Sequence, residues 1–308
     1  MHAMLLCAGL GTRLRPLTDR RPKPLVPVLG RPLASFALER LAIVGVQSVV
    51  ANTHHLAEQI APGLAPWAQG AGMAFDVIHE PTLLGTGGGI RNALPRLGRD
   101  PFIVFNGDVL AAPDLAGALM LHGATSAKMT MILRAHPGHA GVGVVDVDAD
   151  ARVVRVFEEG PAPPLDSERC MFTGIYVIDP AIAPDLPENG CIVRHTLRRL
   201  LARGDTVAGF VDRGLWHDVG TIVSYLDVNF GLLDGTIEFP GTEKPVDLKL
   251  VSASAEMARG VEVGPYTIVG AGARVDGVGK LERVIVWDGA RVSLPSPSVD
   301  GRDGVVYV

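Results

Sequence analysis

Cysteine is scarce in this chain of 308 residues: there are three, Cys7, Cys170 and Cys191. An odd number without metal-ligand spacing excludes a disulfide framework and a cysteine zinc site, and leaves buried, reduced thiols as the expectation. No apolar run is long enough to span a bilayer, and the N-terminal residues lack the basic-then-apolar order of a signal peptide. The expectation is a cytoplasmic protein with no membrane partner. Positive charge is not in excess either. The net charge of −5 argues against nucleic acid as a bulk partner. Aromatic residues are few, at 5%, so any core must be built mainly from aliphatic side chains.

What the chain does have is turn formers, 37 Gly and 23 Pro, set in a composition that is 47% hydrophobic and 20% charged. That is a globular protein with a large core, and the length suggests two domains. Residues 4–32 are the most distinctive stretch. An apolar run over residues 4–8 reads as a buried strand and gives way to Gly9, Leu10, Gly11, Thr12 and Arg13. Glycines directly after a strand let backbone N–H groups approach a bound anion. Arg13, Arg15, Arg20, Arg21 and Lys23 are interleaved with Pro16, Pro22, Pro24 and Pro27, which predicts an extended loop presenting cations. Two readings of this pattern stand side by side, a phosphate site and a solvated basic turn.

Up to about residue 230, strand-like runs alternate with helical patterns, which predicts an α/β layer fold: a Rossmann-like, mostly parallel sheet flanked by helices. Helices are expected over residues 32–44, 54–67 and 192–202. Strands are expected over 48–52, 75–79, 101–105, 128–134, 141–148, 152–157 and 171–178. A second glycine-rich segment, Gly85, Thr86, Gly87, Gly88 and Gly89, opens a helical pattern, where backbone donors can face a ligand. Asn106, Gly107 and Asp108 end an apolar strand, at the sheet edge where ligands of parallel sheets bind. Gly174 interrupts a strand, a mark of close approach by a ligand or another backbone. In a further short strand over residues 215–221, Asp218 precedes a glycine turn and a helix to residue 233.

After about residue 235 the period changes. Val251, Met257, Val263, Val269, Val275 and Leu281 recur every six positions, and Val286 and Val292 continue the series after one shortened step. A hexapeptide period with one inward aliphatic per repeat predicts a short left-handed parallel β-helix over residues 234–308, with a loose surface segment over 295–304. Its open end offers a face for a second copy of the chain.

Two nucleotide-site readings fail on spacing. A dinucleotide fingerprint needs a third glycine where Leu14 stands and an acid where the second strand ends in Ala51-Asn52; a Walker loop needs Gly-Lys-Ser/Thr, which is missing. The basic loop, the second glycine run, and Asp108 and Asp218 at strand ends fit transfer of a nucleotidyl group. That chemistry asks for phosphate alignment, charge neutralisation and Mg²⁺, which commonly takes one or two carboxylates together with waters and phosphates. A phosphate monoester with a second pKa of about 6 is already largely ionised at neutral pH, so no general base is required.

In the segments AGLGTRLRPLT, PKPLVP, LGTGGGI, NGD and WHDVGT, the sequence resembles the nucleotidyl transferases that make nucleotide sugars from a nucleoside triphosphate and a sugar 1-phosphate. The resemblance covers roughly residues 3–233 and places the catalytic domain at 1–233. It implies that Arg13 and Lys23 are catalytic, with Arg13 on the departing pyrophosphate and Lys23 on the reacting phosphate. It gives Gly9, Leu10, Gly11, Thr12, Glu80, Gly85, Thr86, Asn106 and Gly107 to the nucleotide, Gly143, Glu159, Thr173 and Gly174 to the sugar, and Asp108 and Asp218 to Mg²⁺. The C-terminal repeats resemble the β-helix appended to mannose-1-phosphate guanylyltransferases and glucose-1-phosphate adenylyltransferases. Where many relatives have a sugar-phosphate lysine, this chain has Gly160, and Arg194 is a candidate replacement. Glu80, an acceptor-only carboxylate, leans toward guanine, which offers two adjacent donors. The expected substrates are GTP and mannose 1-phosphate or a related sugar. A uridylyltransferase for muramate or an amino sugar, and a non-catalytic nucleotide-sugar-binding subunit, are the alternatives. His54, His55 and His217 read as structural, and Trp67 and Trp287 as packing at domain edges.

Overall fold

The apolar run at the N-terminus forms β1 (His2–Leu6), whose Ala3, Met4 and Leu5 are fully buried. A strand buried on both faces reads as an unbroken hydrophobic run and belongs in the middle of a sheet. The computed structural model describes residues 1–138, 143–159, 162–294 and 304–308, so Gly160 and the 295–303 part of the expected surface segment lie outside the described residues. The chain divides into two units: Met1–Leu10 with Ala34–Trp216, and Gly11–Leu33 with His217–Val308.

In the first unit, β1 is followed by α1 (Leu33–Ile43), β2 (Ser48–Thr53), α2 (Ile60–Gly70), β3 (Ala74–His79), α3 (Gly85–Ala93) and β4 (Phe102–Asn106). β1 pairs in parallel with both β2 and β4, and β2 with β3, giving the order β4-β1-β2-β3. Parallel neighbours need long crossovers, and the helices between successive strands supply them. Then come α4 (Leu115–Thr125), β5 (Met129–Ala135), β6 (Val144–Val147), β7 (Val153–Val156), β8 (Glu168–Ile178), α5 (Arg198–Arg203) and β9 (Val207–Val211).

β8 joins the parallel half of the sheet to the rest. Ile175–Ile178 pairs antiparallel with β4, whereas Glu168–Met171 pairs antiparallel with β6, and both halves pair with β5. The register along β5 slips between Phe172 and Ile175, which makes Thr173 and Gly174 a bulge at the point where the strand changes partners. One contiguous core runs through this unit, from Met4, Phe102 and Val104 to Tyr176, Ile192 and Leu200.

The second unit holds α6 (Ile222–Asp234) and the C-terminal strands. Thr221 caps α6: its Oγ1 accepts from Ser224 N at 3.1 Å, while its own N–H donates to Ser224 Oγ at 3.0 Å, a reciprocal capping box. Beyond it the strands pair in parallel at a fixed stride. Lys249 lies opposite Thr267, Glu256 opposite Arg274 and Gly260 opposite Val278, each 18 residues on. Thr267 with Val284 and Arg274 with Arg291 are 17 apart, which is the shortened step seen in the sequence. Val269, Val275, Leu281, Val286 and Val292 are buried, but Val251 and Met257 are 37% and 39% exposed. Their strands, Lys249–Val251 and Glu256–Met257, pair on one side only, so the first residues of the series have no further layer to cover them.

Residues 11–27 depart from the expected extended loop. They form three short helical turns, Thr12–Leu14, Leu17–Arg20 and Lys23–Leu25. Gly11 takes a left-handed conformation, φ +60°, and its carbonyl accepts from Leu14 N and Thr18 Oγ1, both at 2.9 Å. Leu14, Leu17 and Thr18 are buried, and hiding them curls the chain. The helix expected at 192–202 is split into a π-turn, Val193–Leu197, and α5.

Candidate active site

In the second unit the site is built around Asp218, which ends the strand Leu215–Asp218. Its two carboxylate oxygens face different cations: Oδ1 lies 3.4 Å from Lys23 Nζ and Oδ2 3.5 Å from Arg13 Nη2. The two cations differ in setting, since the Lys23 side chain is 7% exposed and that of Arg13 is 69% exposed. Lys23 is a buried ammonium opposite a carboxylate, and Arg13 is free to follow a mobile anion. Gly220 makes the pairing possible. A Cβ there would stand 2.7 Å from Asp218 Oδ2 and 3.0 Å from Arg13 Nη2. Gly11 is fixed in the same way, because its Cβ would meet Thr18 Cγ2 at 2.8 Å in a left-handed conformation that L residues resist. Thr12 lies between them in the first turn, and Gly9 has open space where a side chain would be.

In the first unit, Asn106 ends β4 and Gly107 N donates to Leu6 O at 2.9 Å, tying the two strand ends together. Asp108 follows. Its charge and, above all, burial push the Cys7 thiol up, so Cys7 is a neutral packing residue and no nucleophile. Leu10 is exposed at the end of this stretch.

Glu80, expected at the nucleotide base, is held by the chain itself. It is 0% exposed, with Oε1 accepting from Asn52 Nδ2 at 2.8 Å and Oε2 from Leu84 N at 3.0 Å. Asn52 Oδ1 in turn accepts from Cys7 N at 2.8 Å. The glycine run beyond it is helix, not loop, and is shaped by packing. A Cβ on Gly89 would meet Asn52 Nδ2 and Glu80 Oε1 at 2.8 Å, while one on Gly88 would meet Glu188 O at 2.5 Å. Gly87 N donates to Gly190 O at 2.8 Å, and Thr86 Oγ1 accepts from Ile192 N at 3.0 Å. Gly85 begins α3 with φ +71°.

The expected sugar residues form two groups. Thr173 Oγ1 donates to Ile132 O at 2.6 Å, and Thr173 O accepts from Trp216 Nε1 at 2.9 Å. Gly174, at φ +84°, lies so close to Asn106 that a Cβ would stand 2.3 Å from its Nδ2. Gly143 and Arg194 both approach Phe157: a Cβ on Gly143 would be 3.1 Å from Phe157 Cε1, and the Arg194 guanidinium lies 5.1 Å from the ring centre. Glu159 is ion-paired with Arg198. The sequence reading missed Asn52, Arg198 and Trp216. Asn52 alone carried a signal, as an amide closing an otherwise apolar strand.

No group of three or more His, Cys, Asp or Glu side chains is arranged to hold a metal among the described residues. Asp108 in the first unit and Asp218 in the second are each a hard oxygen donor of the kind Mg²⁺ takes, an ion that keeps waters and substrate phosphates beyond one or two carboxylates. No helix among the described residues is long and apolar enough to cross a membrane.

A sequence profile of the family described as nucleotidyl transferase matches residues 2–235. The chain is 33% identical over 297 residues to a mannose-1-phosphate guanylyltransferase of Mycobacterium tuberculosis, covering 95% of this chain and 81% of that protein. It is 35% identical over 236 residues to an N-acetylmuramate alpha-1-phosphate uridylyltransferase of Caulobacter vibrioides, covering 71% of this chain and 91% of that one. The crystal structure of HddC from Yersinia pseudotuberculosis complexed with GMP-PN is similar at a TM-score of 0.59 and 25% identity, covering 74% of this chain and 97% of that one.

Proposed function

The chain belongs to the nucleotidyl transferase family, and from that premise we propose that it joins a nucleoside triphosphate to a sugar 1-phosphate, releasing pyrophosphate. A phosphate oxygen of the sugar phosphate attacks the α-phosphorus in line. One P–O bond forms as the bond to the bridging α,β-oxygen breaks, and that bond's electron pair leaves with pyrophosphate. The Lys23–Asp218–Arg13 arrangement carries this reading. Lys23, buried and fixed, stabilises the charge that builds on the α-phosphoryl oxygens; electrostatic help of this kind is strongest from preorganised groups. Arg13, exposed, follows the pyrophosphate. Backbone groups of Gly9, Leu10, Gly11 and Thr12 bind the triphosphate.

Asp108 and Asp218 would hold Mg²⁺, which when bound neutralises phosphate charge. Gly85, Thr86, Asn106 and Gly107 line the nucleotide, and Gly143, Glu159, Thr173 and Gly174 the sugar. Arg198, ion-paired with Glu159, and Arg194, over the Phe157 ring, are the cations that replace the lysine absent at Gly160. The catalytic role rests on residues 1–233, and within the C-terminal domain, 234–308, the described strands coil as a left-handed β-helix, supported by the 18-residue stride. Its uncovered first layer is the face for a second copy of the chain. The protein works in the cytoplasm.

Mannose 1-phosphate and GTP are the favoured substrates. The support is the guanylyltransferase relative, which matches through the C-terminal strands, whereas the uridylyltransferase relative matches 71% of this chain. Glu80 does not support that preference, because it is fully buried and each of its carboxylate oxygens already accepts a hydrogen bond from the chain. The test is pyrophosphate release with four nucleoside triphosphates against several sugar 1-phosphates in Mg²⁺. The expected best pair is GTP with mannose 1-phosphate. UTP with N-acetylmuramate 1-phosphate as best pair would select the alternative, and nucleotide binding without release from any pair would refute catalysis.

A further inference from the structure

Residues 11–33 are joined to the C-terminal strands through buried polar contacts that the resemblance does not explain. Pro22, Pro24 and Pro27 have no N–H, so this part of the chain has few backbone donors with which to tie itself down. Beyond the short pairing of Pro27–Val28 with Arg31–Pro32, its carbonyls, its side chains and the Leu29 N–H are the handles. The Tyr225 hydroxyl on α6, fully buried, donates to Pro27 O at 2.7 Å and accepts from Trp287 Nε1 at 2.9 Å. A phenol has one proton to give and lone pairs to receive, so the two bonds form together. One turn further along α6, Asn229 Oδ1 accepts from Leu29 N at 2.9 Å, and its Nδ2 donates to Tyr225 O at the same distance. On the other side of Lys23, the Arg21 guanidinium lies 5.1 Å from the centre of the Trp287 ring and 3.5 Å from Asp288 Oδ2. Lys23 therefore sits between two attachments, at Arg21 and at Pro27, and both lead to Trp287.

We infer that Trp287 and Tyr225 are positioning residues for Lys23: the C-terminal strands help to hold the phosphate-facing ammonium in register with Asp218. The turnover arm of the test rests on the activity proposed above, but the exchange arm does not. A buried donor or acceptor left without its partner is costly, so removing the relay loosens residues 21–29 before it disturbs the surrounding apolar packing.

The experiment uses the full chain with Tyr225→Phe, Trp287→Phe and the double variant. Arg274→Ala, which removes an exposed ion pair elsewhere in the strands, serves as control. Hydrogen exchange of residues 21–29 is expected to speed up in all three variants and stay unchanged in the control. Pyrophosphate release should show kcat lowered about tenfold with both KM values within about twofold, as for loss of a transition-state interaction. The double variant should be no worse than the worse single one, because both singles break the same relay. Unchanged exchange over residues 21–29, or single effects that multiply in the double variant, would overturn the inference. Should Tyr225→Phe fail to fold, Trp287→Phe decides by its exchange and kcat. A wild-type chain silent with every substrate pair would defeat the proposed function and leave exchange to judge the relay.

Discussion

Asn52 and Glu80 form a buried amide–carboxylate pair, Nδ2 to Oε1 at 2.8 Å, against which the Cα of Gly89 packs. The second Glu80 oxygen takes the Leu84 N–H at the entrance to α3. With Cys7 N donating to Asn52 Oδ1, three segments, the ends of β1 and β2 and the start of α3, meet at this pair of side chains.

Glu80→Gln would turn an amide donor toward the Leu84 N–H or the Asn52 amide and leave two donors opposed. A loss of about 1–3 kcal/mol is expected, the usual cost of an unsatisfied buried group, read from urea denaturation. The ranking of GTP against UTP should not move, since the carboxylate is anchored to the chain. A reversal of that ranking would show that Glu80 reads the base after all.

Gly89→Ala inserts a methyl 2.8 Å from that same pair. Overpacking of this kind costs about 1–3 kcal/mol, so the melting midpoint should fall clearly. Gly45→Ala, where nothing lies within 4 Å of the added methyl but φ is +77°, separates backbone strain from crowding.

Asp218→Asn removes the charge facing both Lys23 and Arg13 while keeping the shape. Turnover should drop by about 10²-fold or more, the scale seen when one charge-stabilising group is lost, because Lys23 loses the carboxylate that faces it. The melting midpoint should move little, because the carboxylate is 41% exposed. Asp108→Asn should abolish turnover in Mg²⁺ with the circular dichroism spectrum intact; near-normal activity would refute a metal role.

His122 gives the fold a pH dependence. It is buried on α4 with Nδ1 2.9 Å from Thr130 Oγ1. Burial pulls its pKa below the usual 6.5, Asp179 partly opposes this and Lys128 reinforces it. The folded state therefore resists protonation more than the unfolded state does. The stabilising contribution is complete above about pH 6.5 and is lost as pH falls toward the lowered value. Denaturation midpoints measured from pH 7.5 to 5.5 should decline, and His122→Gln should flatten that slope.

The parallel core was legible because β1, β2 and β4 carry apolar runs at their centres, and the C-terminal stride because one aliphatic recurred every sixth position. α4 escaped notice: Leu115–Thr125 is apolar nearly all round and shows no stripe. Its Asp114 cap, which accepts from Gly117 N at 2.9 Å, was the readable signal. The glycine run of α3 was visible, but not the groups that Gly87, Gly88 and Gly89 pack against, because sequence cannot distinguish a glycine that admits a phosphate from one that admits another backbone. Residues 11–27 were misread as extended, since proline content hid the pull of buried Leu14, Leu17 and Thr18 on the chain.

The change of partners along β8 has a consequence for how the chain is made. By the time β4 leaves the ribosome, β1, β2 and β3 are available to pair with one another and with one of its edges. The other edge, the apolar Phe102–Phe105, receives its antiparallel partner only when Ile175–Ile178 has been synthesised. Until then the nascent chain displays an open hydrophobic strand, the kind of template that recruits wrong partners. Slow translation between β4 and β8 would lengthen that exposure, and a trigger-type chaperone that covers it should raise the yield of this protein more than extra time after release.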